Sequence, residues 1–117
     1  MSKQQIDNGL VLGIAAIIDR LDAYAESDPV AAGSVRDDLL ELLALHGVHP
    51  VKCQGAVDSS LLRVVRVEQQ PQVEPGAVLS VWARGYASDE TVIRHAQVVI
   101  NRPRNGEGDK PWSSQTR

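Results

Sequence analysis

At Gly47 the apolar residues of this chain change their spacing. Upstream, Leu10, Ile14, Ile17, Leu21 and Tyr24 step by four, three, four and three, which is one stripe of an α-helix, and Val11, Ile18 and Ala25 form a second stripe beside it. Downstream, Val, Leu and Ile gather in short runs broken by Gly and Pro, the pattern of strands joined by turns. A helical period does not settle as a strand, nor the reverse. The chain is therefore expected to be α+β, a helical part followed by a small, mostly antiparallel β part.

The first helix is expected over about 9–26, roughly 26 Å long at 1.5 Å per residue, with Asp28-Pro29 closing it because a proline disfavours helical backbone at the residue before it. A second helix is expected from Ser34, whose hydroxyl caps the first turn with Asp37 as a weak capping-box partner. Val35, Leu39, Leu42 and His46 carry its apolar stripe, and Gly47 stands where a left-handed C-terminal cap is needed. Two helices with this much apolar surface cannot enclose a core alone. Pairing of the hairpin with a second copy, as a four-helix bundle, is the simplest way to cover it, and Leu10, Ile14, Ile17, Leu21, Leu39 and Leu42 are the expected dimerisation residues.

Strands are expected over 48–53, 61–68, 77–83, 91–93 and 97–101, with Pro75-Gly76 as a tight turn in which Gly adopts a positive φ. The domain division is then 1–47, the helical hairpin, 48–102, the β head, and 103–117, a polar tail expected to be disordered in which only Trp112 is large and apolar.

Several functions are disfavoured. A net charge of -3 and only two Trp and two Tyr give neither a phosphate-binding field nor a base-stacking platform, so nucleic acid is not an expected partner. Cys53 is the only cysteine, forms no internal disulfide, and reads as a small buried apolar residue. The apolar run at 10–18 has signal-peptide length, but Asp7 precedes it, and Asp19, Arg20 and Asp22 lie where a neutral cleavage region belongs. It is also too short to span a bilayer, and the expectation is a soluble cytoplasmic protein. His46 and His49 stand three apart, yet Gly47 and Pro50 break the helix that would aim both at one metal. Asp58-Ser59-Ser60 reads as a turn rather than an acid and a nucleophile. With no phosphate loop and no paired carboxylates, neither enzymatic activity nor a cofactor is expected.

The segments Leu45-His46-Gly47-Val48, Gly55-Ala56-Val57-Asp58, Glu74-Pro75-Gly76-Ala77-Val78-Leu79, Arg84-Gly85-Tyr86 and Val92-Ile93-Arg94-His95-Ala96-Gln97-Val98-Val99-Ile100 follow one another in an order and spacing that resembles the head domain of the GrpE family, the nucleotide exchange factors of bacterial Hsp70 chaperones. The helices match in pattern and in Ile17-Ile18-Asp19-Arg20-Leu21. The resemblance implies a β head that presses one edge against a lobe of the chaperone's nucleotide-binding domain and promotes ADP release. It places Trp82 and Ile100 at that contact, Arg84 beside Gly85 and Tyr86 at a position that is usually basic, and Arg94 at the basic position before the last strand. Departures are the family's Phe-Asp-Pro segment, here Val57-Asp58-Ser59, then Leu62-Arg63-Val64, and Thr91 and His95 at positions usually filled otherwise. The family's long coiled coil, which extends the chaperone contact and senses temperature, is not found before Leu10, so the resemblance does not carry those two roles over to this sequence. An alternative keeps the fold and drops the exchange: a dimeric scaffold or adaptor whose surface is retargeted at Leu62, Arg63 and Thr91.

Overall fold

A computed structural model describes residues 7–55 and 57–103. The expected tail and Trp112 lie outside the described residues. Two helices, α1 (Asn8–Ala25) and α2 (Ala31–Leu45), precede six strands: β1 (His49–Pro50), β2 (Leu62–Glu68), β3 (Val78–Ala83), β4 (Tyr86–Ala87), β5 (Val92–Arg94) and β6 (Ala96–Asn101). This is the α+β order expected. By packing, the residues form two units, one running to Pro50 and including Tyr86–Arg94, the other Val51–Gly85 with the residues from His95 on. No helix among the described residues is long and apolar enough to cross a membrane.

In the first unit, Asp7 starts α1, its carboxylate accepting the Leu10 amide at 3.1 Å and its carbonyl the Val11 amide at 3.0 Å. The start of α2 corrects the sequence expectation. Its helical bonding reaches back to Asp28, whose Oδ1 accepts from the Ala31 amide and whose carbonyl accepts from the Ala32 amide, both at 3.1 Å. Pro29 thus sits in the first helical turn, where its missing N–H costs nothing. Asp28-Pro29 opens the second helix as well as following the first. Asp37, expected as a capping partner, accepts instead from Arg36 Nε at 3.1 Å.

At the far end of α2, Gly47 adopts φ 78° as expected. The Gly47 amide donates to the Ala44 carbonyl and the Val48 amide to the Leu43 carbonyl, each at 3.0 Å. These are the paired bonds of a Schellman cap, and Val48 and Leu43 are both buried in one cluster, the apolar contact that accompanies such a cap. That cluster also holds Val11, Ala15, Ile18 and Tyr86, with Ile14, Leu39, Leu40 and Ile93 against it. The core stripe of α1 is therefore the one through Val11 and Ile18. Against the helices stands a small sheet in the order β1-β4-β5. The expected strand over 48–53 is cut to His49–Pro50, and Pro50 lacks the amide a longer ladder requires.

The second unit is a sheet in the order β2-β6-β3. The central β6 runs parallel to β2 and antiparallel to β3, and Ala96, Val98 and Ile100 form the core with Val51, Cys53, Leu62, Val64, Val67 and Val78 around them. Gly76 has φ 81°, and the Ala77 amide donates to the Glu74 carbonyl at 3.2 Å, closing the expected Pro75-Gly76 turn. Asn101 holds the rest of that connection. Its Oδ1 accepts the Gln70 amide at 2.7 Å, and its Nδ2 donates to the carbonyls of Gln70, Val73 and Glu74 at 3.0, 2.8 and 3.1 Å. A buried amide side chain thus satisfies backbone that no strand partner reaches.

Candidate partner-binding surface

Strand β3 is an edge strand with two register breaks. Val78 pairs with Ile100, Ser80 with Val99, Val81 with Val98 and Ala83 with Gln97, which leaves Leu79 and Trp82 as extra residues facing no partner of their own. The second bulge turns the chain so that neighbouring apolar residues both meet solvent: Val81 is 43% exposed and Trp82 61%. An unbulged strand would have sent one of the two inward. Trp82 is thus on the surface, where the family resemblance requires it.

The other expected contact residues fall in different places. Arg84, in the same unit, is half-buried close to Cys53. Burial raises the Cys53 thiol above its ordinary pKa, and the positive charge of Arg84 offsets part of that rise. Gly85 is buried and its carbonyl accepts the Val51 amide at 2.9 Å. Ile100 is 2% exposed, in the sheet core with Ala96 and Val98. Its side chain offers a neighbour no surface, and it is not carried forward as a contact.

Tyr86 and Arg94 belong to the first unit. The Tyr86 ring is fully buried beside Ile18 and Leu43, and β4, which carries it, pairs with both β1 and β5. A strand stands here where the sequence pattern indicated only a turn. Arg94 reaches Asp19 of α1 with two parallel bonds of 3.0 Å, its guanidinium lying 5.4 Å from the centre of the Tyr86 ring. That bidentate, stacked arrangement ties β5 to α1. Of the departures from the family, Leu62 packs against the sheet core, Arg63 is exposed, and Thr91 lies in the β4–β5 turn, where its amide and that of Glu90 donate to Ser88 Oγ at 3.3 Å.

The helical hairpin presents a second surface. Leu10 is 54% exposed, Ile17 48% and Tyr24 57%, at intervals of seven along α1, and Val35 and Leu42 repeat the interval on α2 at 51% and 44%. Ile14, Leu21 and Leu39, the remaining expected dimerisation residues, are half-buried. Asp58, the one candidate acid, takes the Ser60 hydroxyl at 2.6 Å and the Ser60 amide at 3.0 Å, hydrogen bonds that hold its carboxyl below the ordinary pKa. It shapes a turn into a short 3-10 segment, Ser59–Leu61. No three His, Cys, Asp or Glu side chains among the described residues come together as a metal site.

Sequence reasoning missed β4, the Asn101 clamp and the exposure of Val81. The only signal for the last was the adjacency of Val81 and Trp82, two large apolar residues of which a regular strand turns only one outward.

Known proteins resemble this chain over most of its length. The GrpE family model matches residues 14–102. A protein GrpE of Thermoplasma acidophilum is 31% identical over 103 residues, covering 86% of this chain and 57% of the relative. One from Saccharophagus degradans is 28% identical over 102 residues, covering 80% and 53%. A third, from Chromohalobacter salexigens, is 29% identical over 98 residues, covering 76% and 47%. The chain spans about half the length of the curated relatives it matches.

Proposed function

This chain belongs to the GrpE family, and from that premise we propose that it is a homodimeric co-chaperone that binds the nucleotide-binding domain of an Hsp70 protein and promotes ADP release. The observation that carries the proposal is Trp82, a large aromatic held on the surface by a bulge in an edge strand, with Val81 beside it. Burying such a pair against a neighbour removes apolar area from water, and exposed tryptophans are the residue type that most often dominates an interface. Arg84 supplies positive charge two residues on. Arg94, engaged with Asp19, acts in this proposal by holding β5 to the helix.

An exchange factor works by linkage. It speeds nucleotide release by binding the open form of the chaperone's cleft more tightly than the closed form, and it moves that equilibrium only by the difference. A thousandfold shift needs about 4 kcal/mol of preference, within reach of one well-buried aromatic anchor and its neighbours. The sevenfold stripes on α1 and α2 are the surface through which two copies associate, the hairpins forming a four-helix bundle.

The test is release of a fluorescent ADP analogue from the Hsp70 of the same organism. Saturating protein should accelerate release, ATP should dissociate the complex, and Trp82→Ala should reduce both binding and acceleration. Binding that ignores the nucleotide and leaves release unchanged would overturn exchange and point to the adaptor.

A further inference from the structure

Gly13 lies in the interior of α1, on the exposed stripe that runs through Leu10, Gly13, Ile17 and Arg20 to Tyr24 by steps of three and four. A glycine there weakens a helix relative to alanine, because the unfolded chain keeps more freedom to lose. The usual reasons for tolerating one are missing. Its φ is not in the left-handed region, where Gly47, Gly55 and Gly76 sit, and a Cβ added to it would meet nothing within 4 Å among the described residues. Gly9 and Gly33 differ: a Cβ at Gly9 would come within 3.0 Å of the Asp7 carboxylate that caps α1, and Gly33 is buried against Arg36.

Among the described residues nothing occupies the space a side chain would fill, so α1 is open at this point to a close approach from outside. The neighbours on the stripe identify the visitor's chemistry. Leu10, Ile17 and Tyr24 are about half exposed and seven residues apart, the spacing that packs against another apolar helix stripe of the same period. The α1 of a second copy supplies that stripe. We propose that α1 crosses α1 of a second copy at Gly13, where the absent Cβ lets the two backbones approach and Leu10 and Ile17 pack on either side. This rests on the homodimer proposed above and adds its point of closest approach. In a two-fold contact the crossing lies on the axis, so Gly13 meets the same residue of the other copy.

Sedimentation equilibrium of the full chain, as wild type, Gly13→Ala and Gly13→Leu, tests this. Within one chain both substitutions fit and favour the helix, so without a crossing they leave dimerisation unchanged or strengthen it. At a crossing they have the opposite sign: Gly13→Leu should raise the dimer dissociation constant at least about tenfold by overpacking, with Gly13→Ala between it and wild type. In a Cys53→Ser background, Gly13→Cys should oxidise to a disulfide-linked dimer, because close-crossing helices bring the two α-carbons within the roughly 4.4–6.8 Å a disulfide needs. Leu12→Cys, off the stripe, should not. A dimer unmoved or strengthened by Gly13→Leu and without the cross-link would overturn the crossing and leave dimerisation standing. A wild type that is monomeric at every concentration reached would overturn both.

Discussion

The helical unit and the sheet unit both leave large apolar side chains in water, but by opposite means. On α1 and α2 most of the exposed apolar residues keep step with the helix: Leu10, Ile17 and Tyr24, then Val35 and Leu42, recur every seven residues, with Leu12 and Leu45 outside the interval, because each helix has more apolar circumference than one chain covers. On β3 exposure comes from a break in step, since the bulge at Trp82 places two consecutive apolar residues outside. A regular surplus calls for a partner of matching period, such as another copy. An irregular one makes a local anchor, fitted to a pocket on a different molecule. On the function proposed above, the first serves assembly and the second recognition, and substitutions should separate them.

The largest effect is expected from Ile17→Glu. In one isolated chain this side chain is about half exposed, so the cost there is within about 0.5 kcal/mol. In the proposed dimer it buries a carboxylate with no partner, which costs several kcal/mol. Sedimentation should report monomers with undiminished secondary structure by circular dichroism. If Ile17→Glu stays dimeric, the sevenfold stripe is not the assembly surface.

Next in size is a contrast within the sheet unit. Ile100→Ala removes part of a fully buried side chain and should cost about 2–5 kcal/mol of stability, read as a lowered denaturant midpoint. Trp82→Ala should leave that midpoint nearly where it was and weaken Hsp70 binding by about 2 kcal/mol, roughly thirtyfold. The family resemblance put both residues at one contact, and folding has divided them. Should Trp82→Ala unfold the protein while partner affinity holds, the assignment of recognition to β3 would be reversed.

The same division marks how far the sequence could be read. Both helices, their stripes and the Gly47 cap were legible because helix period and cap chemistry are local, carried by residues within a turn of each other. The strands were legible to within a residue or two, except β1, which stops at Pro50 short of its expected end, and β4, whose two residues hold no run at all and exist only because β1 and β5 flank them. The start of α2 was missed for a local reason: Asp28-Pro29 is a stop signal and a start signal at once. The proposed binding surface was legible only as a resemblance. Alternation would have grouped Trp82 with Val78 and Ser80, and the two bulges that undo this grouping depend on register against β6. Asn101 gave no sign at all, since its partners lie about thirty positions away.

A smaller effect belongs to Arg94, which the resemblance placed on the recognition side and the structure joins to Asp19. Their side chains are 22% and 35% exposed, so solvent screens the pair and the coupling should be about 1 kcal/mol, at the upper end for exposed ion pairs because the geometry is bidentate. A double-mutant cycle with Arg94→Gln and Asp19→Asn, scored by denaturant midpoint, should show that coupling and lose part of it in high salt. Hsp70 affinity should move little in any of the variants. A large loss of affinity with Arg94→Gln and none with Asp19→Asn would return Arg94 to the binding surface.

The smallest effect is expected at Asp58, where neither device is at work. The Ser60 hydroxyl and amide hold its carboxyl below the ordinary value, so the folded state takes up a proton less readily than the unfolded chain. A depressed carboxyl contributes stability that is fully present above its unfolded pKa, about 4, and is lost as pH falls through its lower folded value. Ser60→Ala removes the hydroxyl and keeps the amide, and should bring the two values closer together. The stability difference between wild type and Ser60→Ala should then be constant near neutrality and shrink below pH of about 4. Because the carboxyl is fully open to solvent, the change should be small and confined to the entry into β2, with dimerisation and partner affinity unaltered. A difference that instead widened in acid would mean that Ser60 favours the protonated carboxyl, contrary to the short bonds it makes.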